Sequence, residues 1–196
     1  MRNLVKTGKI STGIIILIVV GVFLLMGFFS VWSGYNKAVR FDEDVQARWA
    51  QVETVLVRRF DLIPNLVATV KGYATHEKEL FEHIANARTK YFAAPTIAQK
   101  AQNASELQGA LSRLLLLKEQ YPDLKANQGF LKLQDQLEGS ENRIAVERKR
   151  YNEAVRSVNT YVRSFFGRMF CNMAGVEKGE YFEATEEQKV TPKVNF

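Results

Sequence analysis

Cysteine and histidine are the scarcest chemical groups in this chain of 196 residues, which contains one cysteine and two histidines. A lone cysteine, Cys171, excludes an intramolecular disulfide bond and any metal site built from several cysteines. The 12 glycines are scattered, so the chain has no glycine-rich loop of the kind that binds phosphate. Neither histidine stands in a Ser–His–Asp or Cys–His motif. We therefore predict a protein with no enzymatic activity, no catalytic residues and no cofactor.

Both histidines do share one helical face with a carboxylate, because His76, Glu79 and His83 stand at positions i, i+3 and i+7. Such a group resembles a site for a divalent transition metal. It lacks the second histidine, four residues after the first, that the zinc-protease motif requires. We interpret the three residues as a solvated helix surface and predict no metal site.

Most of the chain has no strong excess of positive or negative charge. Lys and Arg number 27 against 21 Asp and Glu, and residues 1–32 hold three of the bases and none of the acids. The rest of the chain therefore has 24 bases against 21 acids, a net charge of +3. This charge is too small and too dispersed for a nucleic-acid interface. We predict no nucleic-acid partner, and we infer no small-molecule substrate.

What the chain does contain is one long hydrophobic run, the 20 uncharged residues 13–32. As a helix rising ~1.5 Å per residue, it spans the ~30 Å hydrocarbon core of a bilayer. A cleavable signal has a shorter apolar core, of about 7–15 residues, and a small-residue cleavage site. We therefore predict a short basic tail at 1–12 and a retained transmembrane anchor at 13–32, as in a single-pass protein of the bacterial plasma membrane.

The side of the membrane on which the rest of the chain lies is not fixed by the positive-inside rule. Lys and Arg are balanced, with Arg2, Lys6 and Lys9 before the run and Lys37, Arg40 and Arg48 after it. We favour the N-terminus inside, which puts the domain outside the cytoplasm, because the first three charges are undiluted on a short tail. The opposite orientation is the alternative.

Beyond residue 32, apolar residues recur at spacings of three and four, which is typical of helices, and no two-residue alternation is found. Prolines at 64, 95 and 122 mark the breaks between helices. The pattern predicts helices near 35–60, 66–91, 97–120 and 127–166, the first continuous with the anchor and the last with a possible bend at Gly139. We predict an all-α protein: the transmembrane helix, then an antiparallel up-down four-helix bundle at 33–166. An apolar juxtamembrane segment and a polar tail then occupy 167–196.

One stretch is highly distinctive: residues 58–79 read RRFDLIPNLVATVKGYATHEKE. Supporting motifs follow in order, YPDLKAN at 121–127, FLKLQ at 130–134 and LEG at 137–139. Together they resemble the signature of the LemA family of bacterial membrane proteins, and the resemblance extends over about residues 35–196. It implies a four-helix bundle of bromodomain-like topology at a bacterial membrane, and it implies no reaction.

Two apolar stripes of the predicted helices are each interrupted by a charged residue. Glu77 lies between Tyr73 and Leu80 in the second helix, and Arg148 lies between Ile144 and Tyr151 in the fourth. Because an isolated buried charge is costly, we predict that Glu77 and Arg148 meet as a structural ion pair that fixes the helix register. The alternative is that each side chain sits at the edge of its stripe and reaches water.

The up-down order places the turns between helices one and two and between helices three and four at the end remote from the membrane. We predict that this distal end binds a protein partner or further copies of the chain. The residues of this predicted interaction surface are Arg58, Arg59, Asp61, Asn65, Asp123, Lys125 and Asn127. On this reading the chain is a non-enzymatic, membrane-anchored scaffold or adaptor.

A second candidate surface lies where helix four returns to the membrane. There, Phe165, Phe166, Met169, Phe170 and Met173 fall on one helical face. We predict that this face lies in the membrane interface, which would make the chain a membrane-shaping or membrane-surface-binding protein. The alternative is that the five side chains close the open end of the bundle.

Overall fold

The computed structural model describes residues 12–182, and within that range the chain forms helices, turns and loops but no β-strand. This confirms the predicted all-α class. The predicted basic tail up to residue 11 and the predicted polar tail from residue 183 lie outside the described residues. The helices are α1 (Thr12–Phe60), α2 (Ile63–Lys71), α3 (Lys78–Ala93), α4 (Ile97–Leu116), α5 (Pro122–Lys125), α6 (Gln128–Arg163) and α7 (Phe165–Ala174).

The first helix joins an exposed apolar segment to a bundle helix without a break. Helix α1 has 49 residues and is therefore about 73 Å long. Its first part is apolar and exposed, and a window of 18 residues there has a mean hydropathy of 3.0 and is 0% buried. By length and composition this part can cross a membrane. From Val45 onward the same helix buries a stripe at three- and four-residue spacing: Val45, Trp49, Val52, Leu56 and Phe60.

The predicted second helix is divided in two. Helix α2 begins next to Pro64, which occupies its first turn, and it ends at Lys71. Helix α3 starts only at Lys78, after the turn formed by residues 72–77. Gly72, which follows α2, has the lowest helix propensity apart from proline, so the apolar spacing on either side does not carry the helix through this point. The turn at 72–77 is consequently an end of the bundle that the sequence did not predict.

Helices α3 and α4 form an antiparallel hairpin beside α1. Thr96 caps α4, because its hydroxyl oxygen accepts a hydrogen bond from the Gln99 amide at 3.2 Å. Tyr91 of α3 packs edge-on against Phe60, with ring centroids 4.8 Å apart. At the other end of the hairpin, the Tyr121 hydroxyl lies 3.4 Å from Glu77. Helix α3 therefore runs toward the membrane end of the bundle and α4 runs away from it.

Helix α6 returns along the whole bundle and is unbroken from Gln128 to Arg163, without the possible bend at Gly139. It begins at Asn127, whose side-chain oxygen accepts from the Phe130 amide at 2.9 Å. Its buried stripe includes Leu137, Ile144 and Tyr151. These side chains complete one continuous core with those of α1 to α4.

A sharp turn at Ser164 separates α6 from α7. The Ser164 hydroxyl oxygen accepts a hydrogen bond from the Gly167 amide at 3.1 Å, so one residue ends α6 and caps α7. Only glycine fits at 167, because a Cβ there would collide with the Tyr161 carbonyl oxygen. The predicted bundle boundary at 166 therefore falls inside α7, which starts at Phe165.

Helix α7 is clasped to α1 at Gly34. The ring of Phe170 lies against Gly34 so closely that a Cβ there would overlap it. The Tyr161 hydroxyl donates a hydrogen bond to the Gly34 carbonyl oxygen at 3.0 Å. This clasp, formed by Gly34, Tyr161 and Phe170, joins the base of the bundle directly to the helix that carries the apolar segment.

After α7 the chain turns at Gly175, which has a φ of 68°, and continues as residues 176–182, which we call the strap. The strap lies against α6. Asn159 donates to the Gly179 carbonyl oxygen and accepts from its amide, at 2.9 and 3.0 Å. Asn152 does the same with Phe182, at 3.1 and 2.9 Å. Two side-chain amides therefore fix both the position and the direction of the strap.

Replacing Gly34 with alanine tests the clasp. The added methyl group would displace Phe170, and we expect α7 docking to lose about 1–3 kcal/mol, as for other overpacked cores. Cys171, which is fully buried beside Phe170, should then react faster with maleimide in the detergent-solubilised full chain. The control is Gly27→Ala in the same helix, where an added Cβ has no atom within 4 Å. Equal labelling rates in the two variants would contradict the clasp.

Candidate functional site

The predicted ion pair between Glu77 and Arg148 is not formed. Glu77 instead accepts a hydrogen bond from Tyr121. The guanidinium of Arg148 stacks on Phe182, 4.3 Å from the ring centroid, and its burial lowers its pKa. The physical reason is the break at 72–77, which puts Glu77 at the distal end. Arg148 is 20 residues into α6, so it lies about 30 Å from that end.

A different ion pair occupies the bundle interior. Arg59, only 5% exposed, pairs through its guanidinium with Glu141 of α6. The other oxygen of Glu141 accepts from the side-chain amide of Gln108 in α4, at 2.6 Å. Desolvation lowers the pKa of Arg59 to about 10, so this side chain still carries its charge at neutral pH. Three helices are therefore tied together by one buried cation and its partners.

The sequence contained a signal for this pair. Arg59 stands three residues after Leu56 and seven after Val52, both of them fully buried in α1. It therefore falls on the same helical face as the core stripe. The prediction that Arg59 belongs to the interaction surface, which depends on its place in the family motif, is therefore wrong.

The remaining residues of the predicted interaction surface do not lie together. Arg58 and Asp61 stand at the end of α1, where Arg88 of α3 contacts Asp61 at 3.6 Å. The end of α1 lies beside Glu141 of α6. Glu141 is 13 residues, or about 20 Å, from the first residue of α6, which lies at the distal end. Asn65 is exposed on α2. Only Asp123, Lys125 and Asn127 of the predicted set lie at the distal end.

The distal end is built from the turn at 72–77 and the turn at 121–127, which we together call the distal surface. The side-chain amide of Asn127 donates to the Tyr73 hydroxyl oxygen at 2.9 Å, so the two turns are joined directly. Asp123 and Lys125 are exposed, and Lys125 lies 3.2 Å from Glu119. The prediction paired the turn at 61–65 with the turn at 121–127. In the structure the neighbour of 121–127 is instead the turn at 72–77.

At the opposite end, α7 presents most of the predicted membrane-interface face. Phe165 is 87% exposed, and Phe166, Met169 and Met173 are exposed as well. Phe170 is an exception, since it is buried against Gly34 and belongs to the core. One side of α7 therefore closes the bundle and another faces outward.

The exposed apolar side of α7, formed by Phe165, Phe166, Met169 and Met173, is here called the α7 face. It adjoins the apolar segment of α1. A cleft of about 230 Å³ runs between them, lined by Phe28, Val31, Trp32, Tyr35, Asn36 and Met173. The third side of α7 carries Arg168 and Asn172, which are exposed and polar. Helix α7 therefore has three sides: one is buried, one is apolar and exposed, and one is polar and exposed.

The single thiol has no catalytic environment. Cys171 is fully buried, and desolvation raises its pKa, which favours the unreactive thiol over the thiolate. Within residues 12–182, no three His, Cys, Asp or Glu side chains converge as metal ligands would. His83 instead lies 4.0 Å from Glu106.

Comparison with known proteins relates the chain to one family and to several named proteins. The family model described as LemA family matches residues 48–196. Magnetosome protein MamQ 2 of Paramagnetospirillum magneticum is 26% identical, over 91% of this chain and 76% of that protein. Magnetosome protein MamQ of Magnetospirillum gryphiswaldense is 25% identical, over 82% and 70%. Protein LemA of Metamycoplasma hominis is 24% identical, over 83% and 75%.

The interior ion pair can be tested by removing the carboxylate. Glu141→Ala leaves Arg59 charged and buried without its partner. We expect a loss of about 2–3 kcal/mol in the free energy of unfolding, below the ~3–5 kcal/mol of a fully buried pair, because Glu141 opens partly to solvent. Arg58→Ala is the matched control, since Arg58 is exposed, and it should cost less than about 0.5 kcal/mol. Denaturant unfolding of the full chain in detergent, followed by circular dichroism, measures both. Equal losses would show that the pair is unimportant.

Proposed function

The chain belongs to the LemA family, and on that premise we propose that it is a non-enzymatic scaffold anchored in the bacterial plasma membrane by one transmembrane helix. In this role the segment 13–32 binds the bilayer. The bundle then holds its distal surface at a fixed distance from the membrane, for a protein partner or further copies of the chain.

The observation that carries this proposal is the rigid junction between the apolar segment and the bundle. Helix α1 passes from one to the other without a linker, and the clasp at Gly34 fixes it from the side. From Trp32 to Phe60 the helix rises about 42 Å, and α2 adds at most about 14 Å in the same direction. A protein that only needed a tether would gain nothing from such stiffness.

The distal surface supports the proposal because it combines order with exposure. Asn127 and Tyr73 hold the two turns together, while Asp123, Lys125 and the Tyr73 ring remain accessible. Tyrosine is among the residue types that concentrate binding energy at protein interfaces.

We place the bundle outside the cytoplasm, with the N-terminus inside. Lys and Arg are balanced on the two flanks of the span, and we favour this orientation because the three N-terminal charges are undiluted on a short tail. Because Cys171 is buried, it gives little background to a thiol reagent, and Asp123→Cys at the exposed distal end can report the side. Reaction with an impermeant maleimide only in permeabilised cells would reverse the orientation.

A second candidate function is supported by the α7 face. Four large apolar side chains remain exposed next to the membrane-spanning segment, and the polar side of the same helix carries Arg168. Amphipathic helices of this kind lie in the membrane interface with the apolar side inserted. We propose that α7 binds the membrane surface, either as a second anchor of the scaffold or as an element that shapes the bilayer.

The scaffold proposal is tested by site-specific photo-crosslinking in cells. A photoreactive amino acid at Asp123 should give one discrete product, because the distal surface faces the partner. The matched control carries the same amino acid at Asn142, which is exposed on α6 far from either end. Adding Tyr73→Ala should weaken the Asp123 product and leave the expression level unchanged. The same products from both positions, or none from Asp123, would contradict a distal partner surface.

The membrane proposal for α7 is tested by depth-dependent fluorescence quenching. Phe166→Cys, labelled with an environment-sensitive dye in the full chain in nanodiscs, should be quenched strongly by brominated lipid tails. Asn172→Cys lies on the polar side of the same helix and should be quenched much less. If the two positions are quenched equally weakly, the α7 face is not inserted.

A further inference from the structure

The cleft between α1 and α7 has apolar walls from two helices. Phe28, Val31 and Trp32 form its wall on α1, and Met173 of α7 forms the opposite wall. All four side chains are exposed, so no part of residues 12–182 covers them. We call this feature the α1–α7 cleft.

The position of the α1–α7 cleft along α1 indicates which medium fills it. In the proposed membrane-anchored chain, Trp32 is the last residue of the span. Phe28 lies four residues, or about 6 Å, deeper in the hydrocarbon core. The apolar part of the cleft therefore opens toward lipid acyl chains, and an acyl chain matches the chemistry of its walls.

Polar groups follow at the end of the cleft that is nearer the bundle. Tyr35 and Asn36 complete its lining. Arg40 stands one turn further along α1, and its Nε donates a hydrogen bond to the Asn36 carbonyl oxygen at 3.2 Å. Asp44, four residues after Arg40, pairs with Arg48 at 3.3 Å. The exposed guanidinium of Arg40 is thus held beside the cleft, and no carboxylate within residues 12–182 forms an ion pair with it.

The polar end of the cleft lies at the level of the lipid headgroups. A bilayer is ~40–45 Å thick and its hydrocarbon core is ~30 Å, so each headgroup layer is about 5–7 Å deep. Asn36 lies four residues, or about 6 Å, beyond Trp32, which places it within this layer. Glu43 lies seven residues, or about 10 Å, further on and is therefore outside it. The cation of the cleft is at the depth of the phosphate groups, and this carboxylate is not.

From this register we propose that the α1–α7 cleft binds one anionic phospholipid per chain. An acyl chain lies between Trp32 and Met173, and the phosphate group is bound by Arg40 and by the side-chain amide of Asn36. Basic residues at this depth attract anionic lipids. The proposal rests on the membrane span proposed above and adds a specific ligand to it. The bound lipid would fill the space between α1 and α7 and so join the base of the bundle to the bilayer.

The fluorescence of Trp32 in the full chain in detergent tests the site. Phosphatidylglycerol with brominated acyl chains should quench Trp32 and saturate at one lipid per chain. Brominated phosphatidylcholine with the same acyl chains should require a several-fold higher concentration. Trp49, the second tryptophan, is buried about 25 Å away along α1 and supplies a constant background. Quenching that does not saturate, or that is equal for the two lipids, overturns the proposal.

Filling the cleft distinguishes a bound lipid from the lipids that surround any span. Val31→Phe places a larger side chain in the cleft and should raise the phosphatidylglycerol concentration for half-maximal quenching several-fold. The matched control is Val19→Phe, the same substitution at an equally exposed position of α1 that does not line the cleft. Equal effects of the two substitutions would contradict a specific site.

The assignment of the phosphate group is tested by removing the charge. Arg40→Gln should abolish the preference for phosphatidylglycerol over phosphatidylcholine. Arg48→Gln removes the same charge from an exposed position 12 residues, or about 18 Å, beyond Asn36, and it should leave the preference unchanged. If Arg40→Gln keeps the preference, or if both variants lose it, Arg40 does not bind the headgroup and the proposed site is wrong.

A separate measurement distinguishes failure of the lipid site from failure of the proposed span. Membranes that contain the full chain are washed with alkaline carbonate, which releases proteins that do not cross the bilayer. Release of the chain would overturn both the span and the lipid site. A chain that is retained in the membrane, but shows no saturable quenching of Trp32, would keep the span and overturn the lipid site alone.

Discussion

The other elements of this structure are arranged on one helix, α1, whose two parts have different surfaces. The first part of α1 is apolar on every side and exposed, and the remainder is apolar along one stripe only. A helix can make this change without a break because its backbone hydrogen bonds are internal to it. The bundle is then assembled on the stripe, and each of its other elements is positioned relative to a helix that also fixes the distance from the apolar segment.

Within the bundle, a few polar contacts hold the helices and the strap at defined positions along one another. The apolar side chains at three- and four-residue spacing form one continuous core. The contact of Arg59 with Glu141, extended by Gln108, sets the relative positions of α1, α4 and α6 at one level. Asn152 and Asn159 do the same for the strap. A buried pair of this kind adds little net stability compared with apolar packing, whereas removing one partner is costly.

Much of this architecture could be predicted from the sequence because it depends on spacing and composition. The all-α class and the long apolar N-terminal helix follow from period and length. The break at 72–77 was missed because apolar residues on both sides of Gly72 keep a helical spacing, and tertiary contacts with residues 121–127 decide where the chain turns. Glu77 was consequently assigned to the wrong level. Phe170 was placed with the exposed residues because its spacing suits the α7 face, and only the absence of a side chain at Gly34 explains its burial.

The clasp at Gly34 has a consequence for motion. Helix α1 is continuous, and the clasp holds it at Gly34, directly after the apolar segment. No flexible linker therefore separates that segment from the bundle. A rotation of the apolar segment about its own axis therefore turns the bundle through the same angle. One residue inserted between the span and Gly34 would change the angle between them by about 100°. In the proposed membrane-anchored scaffold, the face of the span that a neighbour contacts therefore determines which side of the bundle that neighbour meets.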